Sequence, residues 1–375
     1  MYDIIIIGTG PIGAGAARHA SAAGAKIAVI GPNEAPRDTH TVWSSHYDAA
    51  RLTHRSARNV QLAQYALEAI ANYRIIEAQS GISFYTPCGT LSLSHDLGGF
   101  SYTSQRTAIE QALGFTYVDY PPHQITHAFP MLSADLGYHG VYDGPPSGYI
   151  APRAMVAAQL TCAQQQGATV VRDIVTQLTP HSDFVTVTTS DGATLRATRV
   201  ILAAGAYSGL CGLLPTPVPH TIKSETVTLG RVSATTAARM ATMPSMMVDC
   251  VSDVISDAYL TPPLQYPDGE WYFKLGSNSI HDLFFDTLPA LQHWIKNGDM
   301  AATHHAQIAL LKQLFAGVEW LEFTSLPCVI TRTPDGVPTI SNVHPRVTAV
   351  VGCNGSLAKS GDTIGRVAFE LAHAS

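Results

Sequence analysis

The sequence predicts an α/β protein with a discontinuous Rossmann-like domain and a second, mixed-sheet α+β domain inserted into it. Three segments carry that expectation: a glycine-punctuated βαβ unit at the start, a hairpin feeding back into a sheet near residue 200, and a closing strand–glycine loop–helix. The 375 residues leave room for two domains.

The first segment is "YDIIIIGTGPIGAGAARHASAAGAKIAVIG". Ile4 to Ile7 are too continuously apolar for a half-exposed strand and read as part of a parallel sheet covered on both faces. Gly8, Gly10 and Gly13 then give G-x-G-x-x-G, with Pro11 and Ile12 opening an alanine-rich helix that runs to about Ala22. Lys26 to Ile30 supply the next strand. In this arrangement the first glycine permits a tight turn and the second admits a pyrophosphate to the backbone. The third lets helix and strand pack closely, and the helix N-terminus faces the phosphates. The acidic residue expected for the ribose hydroxyls is replaced by Gly31, leaving Asn33 or Glu34 as substitutes.

The second segment decides between dinucleotides. A short strand, Thr169–Val171, precedes a hairpin in which Val185 and Val187 alternate and Ser190-Asp191-Gly192 turns the chain. Arg199–Ala203 follows and ends in "AAGA", a return that is typical of flavoproteins. The third segment agrees: strand Val347–Val351, a glycine loop, and a helix from about Asp362 whose N-terminus would favour the negative charge of a reduced flavin. FAD is therefore the expected cofactor, on a glutathione-reductase-type domain spanning 1–60, 148–216 and 328–375. The substrate domain is expected over 61–147 and 217–327, roofing the flavin.

Composition narrows the function. A formal charge of -6 without a basic patch excludes a nucleic-acid role, and no apolar stretch reaches membrane-spanning length. The N-terminus runs into the glycine motif without a basic leader, so a cytoplasmic location is expected. The six cysteines have no metal-ligand spacing; Cys88, Cys162, Cys211 and Cys250 read as scattered reduced thiols, and no metal is expected.

Four stretches hold candidate chemistry. "CVITRTPD" (328–335) sets Cys328 before a tight turn, either as a core thiol or as a reactive one. "FKLG" (273–276) places Lys274 between apolar residues, where a buried cation needs a partner. "GCNGSLAKSGDTIG" (352–365) puts Gly352, Gly355, Ser356 and Lys359 in a glycine loop, and "SSHYDAARLTHR" (44–55) is polar and basic.

Together these motifs resemble the FAD-dependent amine oxidases of the D-amino-acid oxidase superfamily, specifically the monomeric sarcosine oxidase branch, which includes the N-methyltryptophan and fructosyl amino acid oxidases. The resemblance covers the whole chain in order. It implies that Cys328 bonds covalently to the flavin 8α-methyl, that Lys274 activates oxygen beside N5, and that Lys359 meets a substrate carboxylate. Arg51 matches the basic residue over the flavin and His46 lies near the ring. His54 stands in register with the family's carboxylate-binding arginine, Arg55 falls one place late, and Asn278 replaces an active-site histidine. Arg332 is either a substrate-carboxylate ligand or a surface ion-pair residue. Tyr259, Tyr266, Trp271 and Tyr272 are candidates for lining an apolar pocket.

The implied reaction is oxidation of a small-molecule amine to an imine, with O2 reduced to hydrogen peroxide, by a monomer. The rival readings are a dehydrogenase using a non-oxygen acceptor and a flavoprotein without catalysis.

Overall fold

The computed structural model describes residues 1–57, 59–95, 109, 112–134, 136–249, 252–298 and 300–374. The first sheet is built around Tyr2–Ile7, flanked in parallel by Ile27–Ile30 and Thr194–Leu202. Thr169–Val171 and Val347–Val351 extend the parallel set on either side. The isoleucine run is buried on both faces because alternate side chains enter different cores. Ile4 and Ile6 pack against the helices Pro11–Ala22 and Gly361–Ala374, while Ile5 and Ile7 join Val185, Val187 and Val200 on the opposite face. The hairpin Val175–Pro180 and Val185–Thr189 adds antiparallel to Thr194–Leu202, as the valine alternation predicts.

The second sheet has eight strands in the order Glu322–Arg332, Thr221–Val232, Trp271–Ser279, Ile255–Gln265, Ser245–Asp249, Thr90–Ser94, His139–Asp143 and Val118–Tyr120. Ser245–Asp249 runs parallel to Thr90–Ser94 while the other neighbours are antiparallel, so the sheet is mixed. Helix Ala301–Leu314 packs Leu310, Leu311 and Leu314 into the core that contains Phe273 and Leu275. The α/β class and the second α+β layer are those expected.

Two boundaries differ from the sequence expectation. Helix Val60–Ser80 sends Leu62 into the core of the first sheet, and packs Ala69, Tyr73 and Ile76 on Met155, Ala158 and Cys162 of helix Pro152–Gln165. Residues 61–80 therefore belong with the first sheet's helices. Cys328 lies inside strand Glu322–Arg332 of the second sheet, so the crossing comes after Arg332. The turn that makes it is tied by Gly336 N–H to Thr333 O (3.1 Å) and by the Thr333 hydroxyl to Val337 O (2.6 Å). It leads into Thr339–His344 of the first sheet.

The two glycine-rich ends meet. A Cβ on Gly361 would stand 2.7 Å from Pro11 Cβ, and one on Gly365 would stand 2.3 Å from Ala16 N. Beside this contact Asp362 is fully buried, accepting from Arg18 Nε (2.9 Å) and Nη2 (2.7 Å) and from Asn72 Nδ2 (3.2 Å), with His19 at 3.2 Å. Asp362→Ala would strand the Arg18 guanidinium, and breaking one side of such a buried pair costs about 3–5 kcal/mol. A correspondingly lower denaturation midpoint is expected; an unshifted midpoint would mean that this junction does not hold the two ends together.

Candidate functional site

Two cavities meet between the sheets. The first runs from the glycine motif past Ser44–Tyr47 to Gly352 and Cys353. At its mouth Gly8 has φ +110, and a Cβ there would stand 2.3 Å from Ala203 O. Gly10 is open: a Cβ would find nothing nearer than Ser44 Oγ at 3.8 Å. Gly13 lines no part of the cleft, and its role is contact, since a Cβ would lie 1.8 Å from Gly8 O. Pro11 and Ile12 open the helix into the cleft, and Gly10 at the N-cap offers no side chain to the first-turn amides. Those free N–H donors and the bare glycine wall fit a pyrophosphate.

The adenosine side departs from the usual pattern. Gly31 is wedged against Thr9, where a Cβ would meet Oγ1 at 2.3 Å. Neither Asn33 nor Glu34 lines the cleft, and the Glu34 carboxylate is gripped by Arg153 at 2.7 and 2.6 Å. Neither residue therefore stands in for the missing acid.

The second cavity, of about 410 Å³, is lined by Arg51, His54, Glu225, Met247, Asp257, Tyr259, Asn278, Cys328, Arg332 and Lys359, among others. The strand Glu322–Arg332 partitions the two spaces by its period of two. Cys328, Ile330 and Arg332 face the second cavity, while Val329 and Thr331 face the first. Arg51, Ile330, Asn354, Gly355 and Leu357 line both and mark the junction.

At that junction Arg51 donates to the Tyr259 hydroxyl (2.9 Å) and stands 3.7 Å from Cys328 Sγ. Behind it Lys274 is fully buried, bonded to the Asp48 carboxylate and to Ala50 O (2.6 Å), with the Tyr259 ring 5.6 Å away. Burial, reinforced by Arg51 and opposed by Asp48, lowers the Lys274 ammonium to about 8. Burial would raise Asp48, but Lys274 and Arg51 outweigh it and hold the carboxyl at about 2. Lys274 lines neither cavity, so it acts on the junction through its charge, one layer back.

Across the second cavity Lys359 Nζ donates to His54 (2.8 Å to Nε2) and lies 3.4 Å from Ser56 O. Burial pulls Lys359 down to about 7, with Asp143 opposing, and burial next to Lys359 pushes His54 well below its usual range. A neutral imidazole therefore accepts from the lysine. Arg55 is turned away, its Nε 2.8 Å from Asp143 and its guanidinium 4.4 Å from the Phe115 ring.

His46 stands in the cleft expected for the cofactor, while the expectations for three of the aromatics and for the last helix need correction. His46 lies in the first cleft, where its Nδ1 would be 3.9 Å from a Cβ on Gly10; it bonds Ser44 and does not reach the second cavity. Burial, with Arg153 and Arg172 nearby, holds it neutral at about 3. Of the four aromatics, only Tyr259 lines the second cavity. Tyr266 bonds Asp48 (3.2 Å), Tyr272 bonds Asp268 (2.9 Å), and Trp271 packs against the second sheet's core. The helix beginning at Gly361 does not itself reach the cleft. A 3-10 turn, Gly355–Ser360, intervenes and carries Ala358 to the first cleft, Ser356 and Lys359 to the second, and Gly355 and Leu357 to both. Among the predicted bystander thiols Cys162 is buried, Cys88 and Cys211 are half-buried, and Cys250 lies outside the described residues.

Asp48, Glu225 and Asp257 escape the sequence reading. The first has a local signal, since "YDAAR" sets Asp48 three residues before Arg51; the other two share strand faces with Cys328's neighbours and are visible only once the strands are placed.

A family model described as FAD dependent oxidoreductase matches residues 3–371. An N-methyl-L-tryptophan oxidase of Yersinia pestis (strain Pestoides F) is 29% identical over 216 residues. That match covers 57% of this chain and 56% of the relative, so the likeness spans little more than half of either. Among solved structures, NikD, an unusual amino acid oxidase essential for nikkomycin biosynthesis, superposes with a TM-score of 0.75 at 20% identity, over 99% of this chain and 93% of that one. A thermally stable mutant of fructosyl peptide oxidase gives 0.76 at 19% identity, over 100% and 90%. Among the described residues, no helix is long and apolar enough to cross a membrane.

Proposed function

The chain belongs to the family of FAD dependent oxidoreductases, and from that premise we propose that it oxidises the C–N bond of a secondary amine or N-substituted amino acid to an imine, with O2 reduced to hydrogen peroxide. The observation that carries this reading is the junction of the two cavities. There a cysteine, a guanidinium and a buried ammonium stand together on one side, and a lysine for a carboxylate stands on the other.

Bound FAD supplies the acceptor for the two electrons removed from the C–N bond, and in this reading Cys328 Sγ holds it as a thioether. The chain's own contribution is position and charge. Lys359, oriented by His54, takes the substrate carboxylate and fixes the amine carbon at the junction. Met247, Ile330 and Leu357 form the apolar wall around it. The amine must be neutral to react, so the site has to admit or create the deprotonated form. Water then hydrolyses the imine to an amine and a carbonyl compound, unless a cyclic imine is itself the product. Lys274 stabilises negative charge as it develops on dioxygen.

The test is a panel of secondary amines and N-methyl amino acids given to the purified flavoprotein. Anaerobic bleaching of the flavin followed by stoichiometric peroxide on admitting air supports the reading. Bleaching without peroxide would move the protein to the dehydrogenases, and no bleaching by any amine would remove it from the amine-oxidising enzymes.

Lys359→Met should raise KM for a carboxylate-bearing amine about 10- to 100-fold, since a hydrogen bond between charged groups contributes about 1.5–3 kcal/mol. KM for the matching amine without a carboxylate should change far less. In the wild type, affinity for the carboxylate should fall as pH rises through about 7, where Lys359 loses its proton. Bound carboxylate would move that point upward. Equal KM values for the two amines in both proteins would take Lys359 out of this role.

A further inference from the structure

The second cavity has two charged poles that do not neutralise each other. One is cationic: Lys359, and Arg332, whose guanidinium has no hydrogen bond or ion pair among the described residues. The charge that acts on Lys359 is Asp143, which lines no part of the cavity.

The other pole is acidic and is built on the residue that replaces the expected histidine. Asn278 donates from Nδ2 to both oxygens of Asp257 (2.8 and 3.0 Å), and its Oδ1 accepts from Lys223 Nζ (2.8 Å). The same ammonium reaches Asp282 (2.6 Å) and Glu225 Oε1 (3.0 Å). Two carboxylates thus share one lysine, the third, Asp257, is tied to it only through the Asn278 amide, and the next cation, Arg51, is held by Tyr259 and Asp48. Glu225 is 94% buried yet lines the cavity, and no hydrogen bond reaches its Oε2 among the described residues. An excess of carboxylate in such surroundings is unfavourable until a cation joins it. Burial accordingly raises Glu225 to about 7 despite Lys223.

We propose that Glu225 Oε2 and Asp257 bind a second, non-reacting ammonium of the substrate, so that the preferred substrates are N-substituted diamino carboxylic acids. Such a molecule places its carboxylate on Lys359 and Arg332 and its distal ammonium on the acidic pole, with the reacting C–N bond between them. The inference rests on the amine-oxidation reading above and narrows its substrate class.

The experiment uses the FAD-loaded full chain and two matched ligands, Nα-methyl-lysine and N-methyl-2-aminoheptanoate, which differ in a terminal ammonium against a methyl group. Affinities are read anaerobically from the flavin spectrum, and turnover from peroxide. Wild-type protein should bind the basic ligand at least about tenfold more tightly, in line with a charge-assisted hydrogen bond. In Glu225→Gln and Asp257→Asn, both close in shape to the native side chains, the ratio of the two affinities should fall towards one. Equal affinities in the wild type, or a ratio that survives both substitutions, would overturn the inference and leave amine oxidation standing. Equal weakening of both ligands by Glu225→Gln would also overturn it, because Glu225 would then hold the reacting nitrogen. Failure of the flavin to respond to either ligand or to any other amine would overturn both readings together.

Discussion

Lys274→Met is expected to slow reoxidation of the reduced flavin by dioxygen about 10²–10³-fold, the usual loss on removing one preorganised electrostatic donor. Amine-driven reduction should change much less, because Lys274 lines neither cavity and is bonded to Asp48 and Ala50 O, with the Tyr259 ring 5.6 Å away. The charge matters only while it is present. Burial has lowered this ammonium to about 8, so wild-type reoxidation should slow as pH rises through that value and the lysine loses its proton. Below it, Lys274 is protonated and the rate should be level. Lys274→Met should abolish this dependence, giving a slow rate without the step near pH 8. Stopped-flow mixing of photoreduced enzyme with oxygenated buffer, across pH, measures both. A variant that reoxidises at the wild-type rate would show that oxygen is activated elsewhere. The substitution also removes the principal partner of Asp48, leaving Arg51 at 3.6 Å as its remaining cation. Lower stability is therefore expected, so the kinetic comparison should be made on flavin-loaded protein.

What could be read from the sequence follows how local each cause is. The glycine motif was legible because turn geometry, backbone approach and helix packing each act within a few residues, and Gly8, Gly10 and Gly13 differ in the structure as those three roles require. The valine alternation gave the hairpin for the same reason. Residues 61–80 fall with the first sheet and not with the second domain because which sheet a segment packs on is decided by tertiary contacts that local pattern does not carry. Tyr259, Trp271 and Tyr272 on neighbouring strands, with Tyr266 in the turn between them, look alike in sequence, since alternation does not tell which face opens on a cavity; of the four only Tyr259 lines the second cavity. The tie between Asp48 and Lys274 is hidden by distance, the two lying 226 residues apart, whereas the spacing of Asp48 from Arg51 is local. The acidic pole was hidden twice over. Lys223 and Glu225 share a strand face, but Asn278 and Asp257 join them only through the pairing of two further strands.

Acid precipitation of the fully flavin-loaded protein is expected to leave the yellow colour in the pellet, and the same treatment of Cys328→Ser is expected to release all of it. Strand alternation turns Cys328 into the second cavity, beside Ile330 and Arg332. The cross-strand register sets it opposite Glu225, and Arg51 stands 3.7 Å from the sulfur. Arg51 also lines the first cleft, which runs back to the open wall at Gly10. A cofactor whose pyrophosphate lay on the glycine motif and whose ring system reached the junction would end beside this thiol. Two thiols border the first cleft, Cys211 and Cys353; of these Cys353 is pushed by burial up to about 12 and follows Gly352, at the far side of the partition strand. It supplies the control: Cys353→Ser should keep its colour in the pellet. Retention by Cys328→Ser together with release by Cys353→Ser would move the attachment to Cys353. Complete release from the wild type would mean that the flavin is held by the glycine motif, the helix amides and the junction alone, with Cys328 an ordinary thiol in the wall of the cavity.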